Sequence, residues 1–152
     1  MFECSFELNG KPMSDFKIGA ISFPAFSSLG QNANKRPLAC VKGAGPIPPG
    51  KYFIVDREHG GRLGWLRDLF NEHGEWFALY ADDGQINDEM FCDQVKRGNF
   101  RLHPKGPLGR SEGCITINEL SHFHQIRAIL RSKSPEVIPG SALKAYGMVT
   151  VK

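Results

Sequence analysis

The segment from His103 to Cys114 combines the residue types that thiol chemistry needs. It holds an imidazole and, eleven residues later, a thiol, with three glycines and two prolines between them. A thiol is mostly protonated at neutral pH, so a cysteine nucleophile needs a nearby base or cation, and His103 could supply both. Because glycine and proline bend the chain, we expect this loop to return Cys114 to the neighbourhood of His103.

The residues just before the thiol could stabilise a negatively charged intermediate. Gly113 has no side chain, so a carbonyl substrate could approach the sulfur, and the backbone N–H groups of Gly113 and Cys114 could donate hydrogen bonds to an oxyanion. Ser111 is placed to orient this turn. One Cys with one His is a weak signal taken alone, so a buried cysteine after a glycine-rich loop stays open as the alternative.

The remaining cysteines do not resemble a metal or redox motif. Cys4, Cys40 and Cys92 form no C-x-x-C pair with each other or with Cys114, so no metal is expected, and thiol–imidazole acyl transfer implies no cofactor. The N-terminus has neither a basic cap nor a long apolar stretch, which predicts synthesis in the cytoplasm without a signal peptide. Reduced thiols are therefore expected, although an even count would permit disulfides in an oxidising compartment.

The apolar pattern predicts a single domain, residues 1–152, that is mainly β with a few short helices. Alternating or β-branched runs bounded by turn residues predict strands, and spacings of three to four residues predict helices. The predicted strands cover residues 2–8, 18–23, 51–55, 76–80, 100–102, 114–117 and 145–151, and the predicted helices cover 62–70, 88–98 and 120–132. Residues 24–49 show no period and are predicted to form a long connection.

Charge and hydropathy exclude two classes of partner. The net charge of +3 over 152 residues is small and scattered, so no nucleic-acid partner is expected. The longest apolar run, at 76–81, has six residues, whereas a membrane-spanning helix needs about 20, so no membrane insertion is expected.

The order of His103, Ser111, Gly113, Cys114 and Ile115 resembles the active-site motif of the L,D-transpeptidase (YkuD-type) catalytic domain. The segment 45–52 is similar to the Pro-x-Gly-x-aromatic strand entry that precedes this motif in those domains. The compact spacing is closest to type VI secretion L,D-transpeptidase effectors. The resemblance implies a mainly β (α+β) fold, an L,D-transpeptidase-like sandwich or barrel, and antibacterial action on peptidoglycan in the target-cell periplasm.

The resemblance also implies residue roles. Cys114 would attack the stem tetrapeptide and release the terminal D-alanine, His103 would be base and then acid, Ser111 would support the motif, and the Gly113 and Cys114 N–H groups would hold the oxyanion. Water, a D-amino acid or a second stem would take the acyl group. The expected partners are peptidoglycan stem peptides, secretion machinery and a cognate immunity protein.

This chain departs from common members of the wider family at two positions. It has Glu112 where they carry His, and Thr116 where they carry Arg two residues after the nucleophile. The resemblance therefore assigns no substrate-carboxylate contact to these two positions. The candidate substrate-binding residues of this chain are Arg101, Arg110 and Tyr52.

Two alternatives belong to other classes. A papain-like or NlpC-type cysteine peptidase or amidase places its nucleophile at a helix N-terminus, and Cys114 precedes a predicted helix that carries His122 and His124. Those two histidines also fit partly exposed helix positions. The second alternative is a non-catalytic module that binds the cell wall.

Overall fold

A computed structural model describes residues 1–57, 76–106 and 113–152. Within these ranges the chain forms eleven strands, one α-helix and two single turns of 3₁₀ helix. In chain order the elements are β1 (Phe2–Phe6), β2 (Ser14–Ile18), β3 (Ile21–Phe26), the 3₁₀ turns Gly30–Asn32 and Arg36–Leu38, β4 (Gly50–Asp56), β5 (Phe77–Ala81), β6 (Glu89–Cys92), β7 (Val95–Gly98), β8 (Arg101–Pro104), β9 (Ile115–Ile117), α1 (Leu120–Leu130), β10 (Glu136–Val137) and β11 (Lys144–Val151).

Eight of these strands close into a barrel. Their order is β1-β2-β3-β9-β8-β5-β4-β11, and β11 pairs again with β1, while β10 extends β11 at one edge. The β1–β11 and β8–β9 pairs are parallel. Strands β6 and β7 form a separate hairpin. The predicted mainly β barrel or sandwich is therefore confirmed, and closure leaves few unpaired strand edges.

The apolar pattern of each strand follows from what its two faces contact. In β4, Tyr52 and Ile54 join the main core, whereas Phe53 and Val55 join a smaller cluster on the other face. All five residues of β5 are buried in the same way. Helix α1 adds a buried stripe to the main core through Phe123, Ile126 and Leu130, as its spacing of three to four residues predicts.

Several predicted elements are confirmed with shifted ends, and others are corrected. The predicted helix at 120–132 is α1, and the predicted strands at 51–55 and 145–151 lie within β4 and β11. The strand predicted at 18–23 instead spans the turn between β2 and β3, and the connection predicted from residue 24 begins only after β3. The helix predicted at 62–70 lies outside the described residues.

The helix predicted at 88–98 is wrong, because this segment is the β6–β7 hairpin. Cys92 pairs with Val95 across a two-residue turn, in which Asp93 and Gln94 have φ of 50° and 66°. Two successive positive φ values define the turn type that suits the twist of a tight hairpin. The sequence lacks the glycine that usually announces this turn, which explains the error.

The expectation of reduced thiols is also corrected. Cys40 and Cys92 form a disulfide that links the long connection to the hairpin. Cys4 and Cys114 are not part of this disulfide. Cys4 is buried, and its burial, followed by the charge of Glu3, raises the pKa of its thiol to about 12.

Candidate active site

Strand order and register bring His103 and Cys114 to neighbouring positions of the barrel. Strands β8 and β9 are parallel, with Leu102 opposite Ile115 and His103 opposite Thr116. Leu102 and Ile115 are fully buried in the core. Because side chains alternate across a strand, the residues on either side of them face outward together.

Cys114 lies immediately before β9, and continuing the register by one pair would set it opposite Arg101. His103 is then the diagonal neighbour of Cys114 on the adjacent strand. A strand spacing of 4.7–4.9 Å and a rise of about 3.3 Å per residue put their Cα atoms roughly 8 Å apart. Side chains at such a diagonal can meet when one of them is aromatic or long.

The imidazole of His103 is held in one orientation. Its Nδ1 lies 2.7 Å from the carbonyl oxygen of Pro104, and because a carbonyl only accepts, Nδ1 carries the proton in this contact. In the neutral imidazole the lone pair is then on Nε2, which lies 3.4 Å from Oγ1 of Thr116. A neutral histidine with its basic nitrogen directed across the strands is suited to accept a proton.

Trp76 covers the imidazole from the other neighbouring strand. Phe77 pairs with Leu102, so Trp76, one residue before β5, faces His103. The two rings stack with centroids 4.3 Å apart and planes inclined by 21°. The guanidinium of Arg57 lies 5.7 Å from the centroid of the indole ring. The stacking restricts rotation of His103, which is only 4% exposed.

The thiol itself is partly exposed at the end of the loop. The Sγ atom of Cys114 lies 3.9 Å from the carbonyl oxygen of Asn99. Gly113 has φ of +70°, a conformation that other residues adopt at a cost. A side chain at Gly113 would collide with the ring of Phe100 and with Arg97. The turn before the thiol therefore requires glycine for both its conformation and its packing.

A cation lies beside the thiol. Arg101 donates two hydrogen bonds of 2.8 Å to the carboxylate of Asp88. Burial by itself lowers the pKa of Arg101, but the hydrogen bond and charge of Asp88, with smaller contributions from Tyr80 and Cys114, raise it above its ordinary value. Charge interactions are mutual, so the Arg101 cation also attracts a negatively charged sulfur at Cys114.

A cleft of about 470 Å³ shares one residue with the surroundings of this thiol. Its wall includes Asn99, the residue whose carbonyl faces the sulfur. The other side chains that line it are mainly charged: Lys42, Asp88, Glu89, Lys96 and Arg97. A polar, charged cleft suits an ionic peptide better than an apolar ligand.

The structure brings some of the predicted site residues together, buries one of them and does not describe two others. His103, Arg101, Gly113 and Cys114 lie together at β8 and β9. Arg110 and Ser111 lie outside the described residues. Tyr52 is fully buried, where its hydroxyl donates a 2.7 Å hydrogen bond to the carbonyl of Pro48. The structure therefore gives Tyr52 a packing role in place of the predicted substrate contact.

Sequence reasoning missed four residues around the site: Trp76, Asp88, Asn99 and Thr116. The sequence pattern places Asp88 in a predicted helix and Trp76 in a predicted strand, and it gives no signal for Asn99. Thr116 stands out only as the replacement of an arginine. Its position two residues after Cys114 is the one local signal, since residues two apart in a strand share a face. Among the described residues, no group of three or more His, Cys, Asp or Glu side chains could hold a metal ion.

A family model named Tlde1 domain matches residues 21–141. The chain belongs to the Tlde1 domain family. This family comprises type VI secretion effectors related to L,D-transpeptidases that act on the cell wall and are delivered to target cells. No curated protein and no solved structure matches the chain.

The match to the Tlde1 domain includes nearly all of the site. It spans strands β3 to β9 with both His103 and Cys114, and it ends beyond α1. In the part of this Tlde1 domain that the structure describes, no helix is long and apolar enough to cross a membrane.

Proposed function

We propose that this Tlde1 domain is a cysteine-dependent L,D-carboxypeptidase or L,D-transpeptidase that acts on the tetrapeptide stems of peptidoglycan. The proposal is supported above all by one observation, the parallel pairing that sets His103 opposite Thr116, two residues after Cys114. Family membership supports the choice of the cell wall as the target.

In the first step, Nε2 of His103 accepts the proton of the Cys114 thiol. The sulfur then attacks the carbonyl carbon at the L-centre of meso-diaminopimelate, and the electron pair of the C=O bond moves to oxygen. When the oxyanion collapses, the C–N bond breaks and the imidazolium donates its proton to the departing amine of D-alanine. A thioester remains on Cys114, so one difficult step becomes two easier ones.

In the second step, an acceptor attacks the thioester while His103 removes its proton. Water gives the shortened tripeptide stem, which is carboxypeptidase activity. A D-amino acid or the amine of a second stem gives exchange or cross-linking. The thiol recovers its proton from the imidazolium in each case, so the enzyme returns to its starting state.

The surroundings of the two residues favour these steps. The Pro104 carbonyl holds the tautomer with a basic Nε2, and Trp76 restricts the ring. The N–H groups of Gly113 and Cys114 are the proposed donors to the oxyanion. The charge of Arg101 interacts with Cys114, so this guanidinium would help to stabilise a thiolate.

A papain-like or NlpC-type mechanism is less well supported. Helix α1 begins only at Leu120, and strand β9 lies between it and Cys114. The thiol is therefore not at the N-terminus of that helix. His122 lies on α1, where its Nε2 is 3.4 Å from a carboxylate oxygen of Glu119 and its ring packs against Phe23.

The proposal extends to partners and location. The chain would be exported by secretion machinery, act on stem peptides in the periplasm of a target cell, and be inhibited in the producing cell by a cognate immunity protein.

The test is mass spectrometry of purified disaccharide tetrapeptides incubated with the protein, with and without D-methionine. We expect loss of one alanine from hydrolysis, or replacement of alanine by methionine from exchange. Cys114→Ala should abolish both products, and Cys4→Ala, which removes the other cysteine outside the disulfide, should keep them. Activity that persists in Cys114→Ala, or no change in the tetrapeptide with the wild-type protein, would refute the proposal.

A further inference from the structure

The cleft beside Cys114 holds two carboxylates, and each already has a cation. Asp88 is bound by Arg101 at 2.8 Å, and Glu89 lies 2.9 Å from Nζ of Lys96. Lys42 lines the same cleft but forms no ion pair with any residue in the described ranges. Of the two lysines that line the cleft, Lys42 is therefore the one that no carboxylate of the described walls neutralises.

The segment that carries Lys42 is irregular, yet it is anchored on both sides. Two residues before Lys42, the Cys40–Cys92 disulfide attaches it to β6. The buried guanidinium of Arg97 donates hydrogen bonds to the carbonyl of Ala39 and, at 3.1 Å, to that of Gly45. These contacts bracket Lys42 and fix its backbone relative to the hairpin that forms the opposite wall.

The guanidinium of Arg97 also lies against Gly113, the residue before Cys114. Nη2 of Arg97 lies so close to Gly113 that a Cβ there would be 2.8 Å away. Lys42 and Cys114 are thus positioned from one buried guanidinium, although they are 72 residues apart in the chain.

We infer that Lys42 is a specificity-determining residue that binds the terminal carboxylate of the stem peptide, and that the Cys40–Cys92 disulfide holds Lys42 in this position. The inference rests on the proposed function and adds to it the residue that recognises the leaving amino acid. Cys114 would attack the carbonyl carbon of the residue that precedes the terminal D-alanine. The D-alanine and its carboxylate would then lie one residue beyond the attacked carbonyl. The cleft lies on that side of the sulfur in this proposal, because Asn99, whose carbonyl oxygen is 3.9 Å from Sγ of Cys114, forms part of its wall.

Binding measurements on Cys114→Ala protein test this without turnover. Calorimetry would compare the tetrapeptide that ends in free D-alanine with the same peptide ending in an amide. Loss of one charge-assisted hydrogen bond is expected to weaken binding about tenfold. Lys42→Gln should therefore weaken binding of the acid about tenfold and leave the amide unchanged. Lys35→Gln, an exposed lysine of the same connection that does not line the cleft, is the matched control and should change neither.

Three results would overturn the role of Lys42: equal binding of acid and amide by the parent variant, equal losses for both in Lys42→Gln, or no measurable binding of the acid. These results differ from failure of the proposed function, which appears as absent D-alanine release by the wild-type protein. The binding comparison still decides the role of Lys42 in that event.

The disulfide is tested by reduction with a phosphine in the same Cys114→Ala background. The preference for acid over amide should fall from about tenfold towards one, with amide binding retained. Lys42→Gln, which has already lost the preference, should not respond. An unchanged preference after reduction, or equal loss of both ligands, would overturn the role of the disulfide.

Discussion

Replacing Gly113 by alanine perturbs the turn that presents the nucleophile. The added Cβ would lie 2.6 and 2.7 Å from two atoms of the Phe100 ring and 2.8 Å from Nη2 of Arg97. Both neighbours are buried, and Arg97 is held by backbone carbonyls. Neither can move aside into solvent, so the chain must shift at the residue next to the thiol.

The expected loss of stability has two parts. Gly113 has φ of +70°, and an alanine in this left-handed region costs about 1–2 kcal/mol. Overpacking of a buried site adds about 1–3 kcal/mol. The unfolding free energy should therefore fall by about 2–5 kcal/mol. Gly140, with φ of +79° and nothing within 4 Å of its Cβ position, is the matched control, and Gly140→Ala should lose only about 1–2 kcal/mol.

Urea denaturation would measure the unfolding free energies, and D-alanine release from tetrapeptides would measure kcat under conditions in which both variants are folded. A small displacement of a reacting atom can cost up to about a hundredfold in rate. We expect Gly113→Ala to lose at least tenfold in kcat and Gly140→Ala to keep its kcat. The reasoning is refuted if Gly113→Ala is no less stable than Gly140→Ala, or if it retains full kcat.

Two further predictions concern the ion pairs and the buried thiol. Asp88→Asn should lower the unfolding free energy by about 1–3 kcal/mol, because it removes a partly buried bidentate partner of Arg101. Glu89→Gln should lower it by less than about 1 kcal/mol, because the lysine partner of Glu89 is exposed. Equal losses in urea denaturation would contradict this prediction. Burial raises the pKa of Cys4 from 9.0 to about 12, so the folded state keeps a proton that the unfolded state loses. The bound proton therefore makes its full contribution to the unfolding free energy below pH 9. Between pH 9 and pH 12 the unfolding free energy should fall by about 1.4 kcal/mol per pH unit. Denaturation across this range should show a shallower decline in Cys4→Ala, and identical slopes would exclude the effect.

The chemistry-bearing residues of the site could be predicted because their signal is local. His103, Gly113 and Cys114 lie within twelve residues of each other. A glycine directly before a cysteine can be recognised as a feature of a candidate site without knowledge of the fold. The structure adds that Gly113 has a positive φ and no room for a side chain, two constraints that the sequence leaves unspecified.

The neighbours of those residues could not be predicted, because they arrive through strand order. Trp76 reaches His103 because β5 pairs with β8, and Asp88 reaches Arg101 from the loop before β6. Such contacts depend on pairings between distant segments. Tyr52 shows the opposite error, since an aromatic residue in a strand can face either the core or a ligand, and only the packing decides.

The amino-acid sequence alone determined which side chains the proposed reaction could use and the β-rich composition of the chain's elements. Both depend on residue types and on short-range periods, namely a thiol with an imidazole and alternation along strands. The tertiary structure alone decided that β8 and β9 pair in parallel, in the register that turns His103 and Cys114 to one face. It also decided that Cys40 meets Cys92 beside the cleft. The physical reason is that hydrogen bonding and burial between distant segments select the register, and a slip of one residue would turn each side chain to the opposite face.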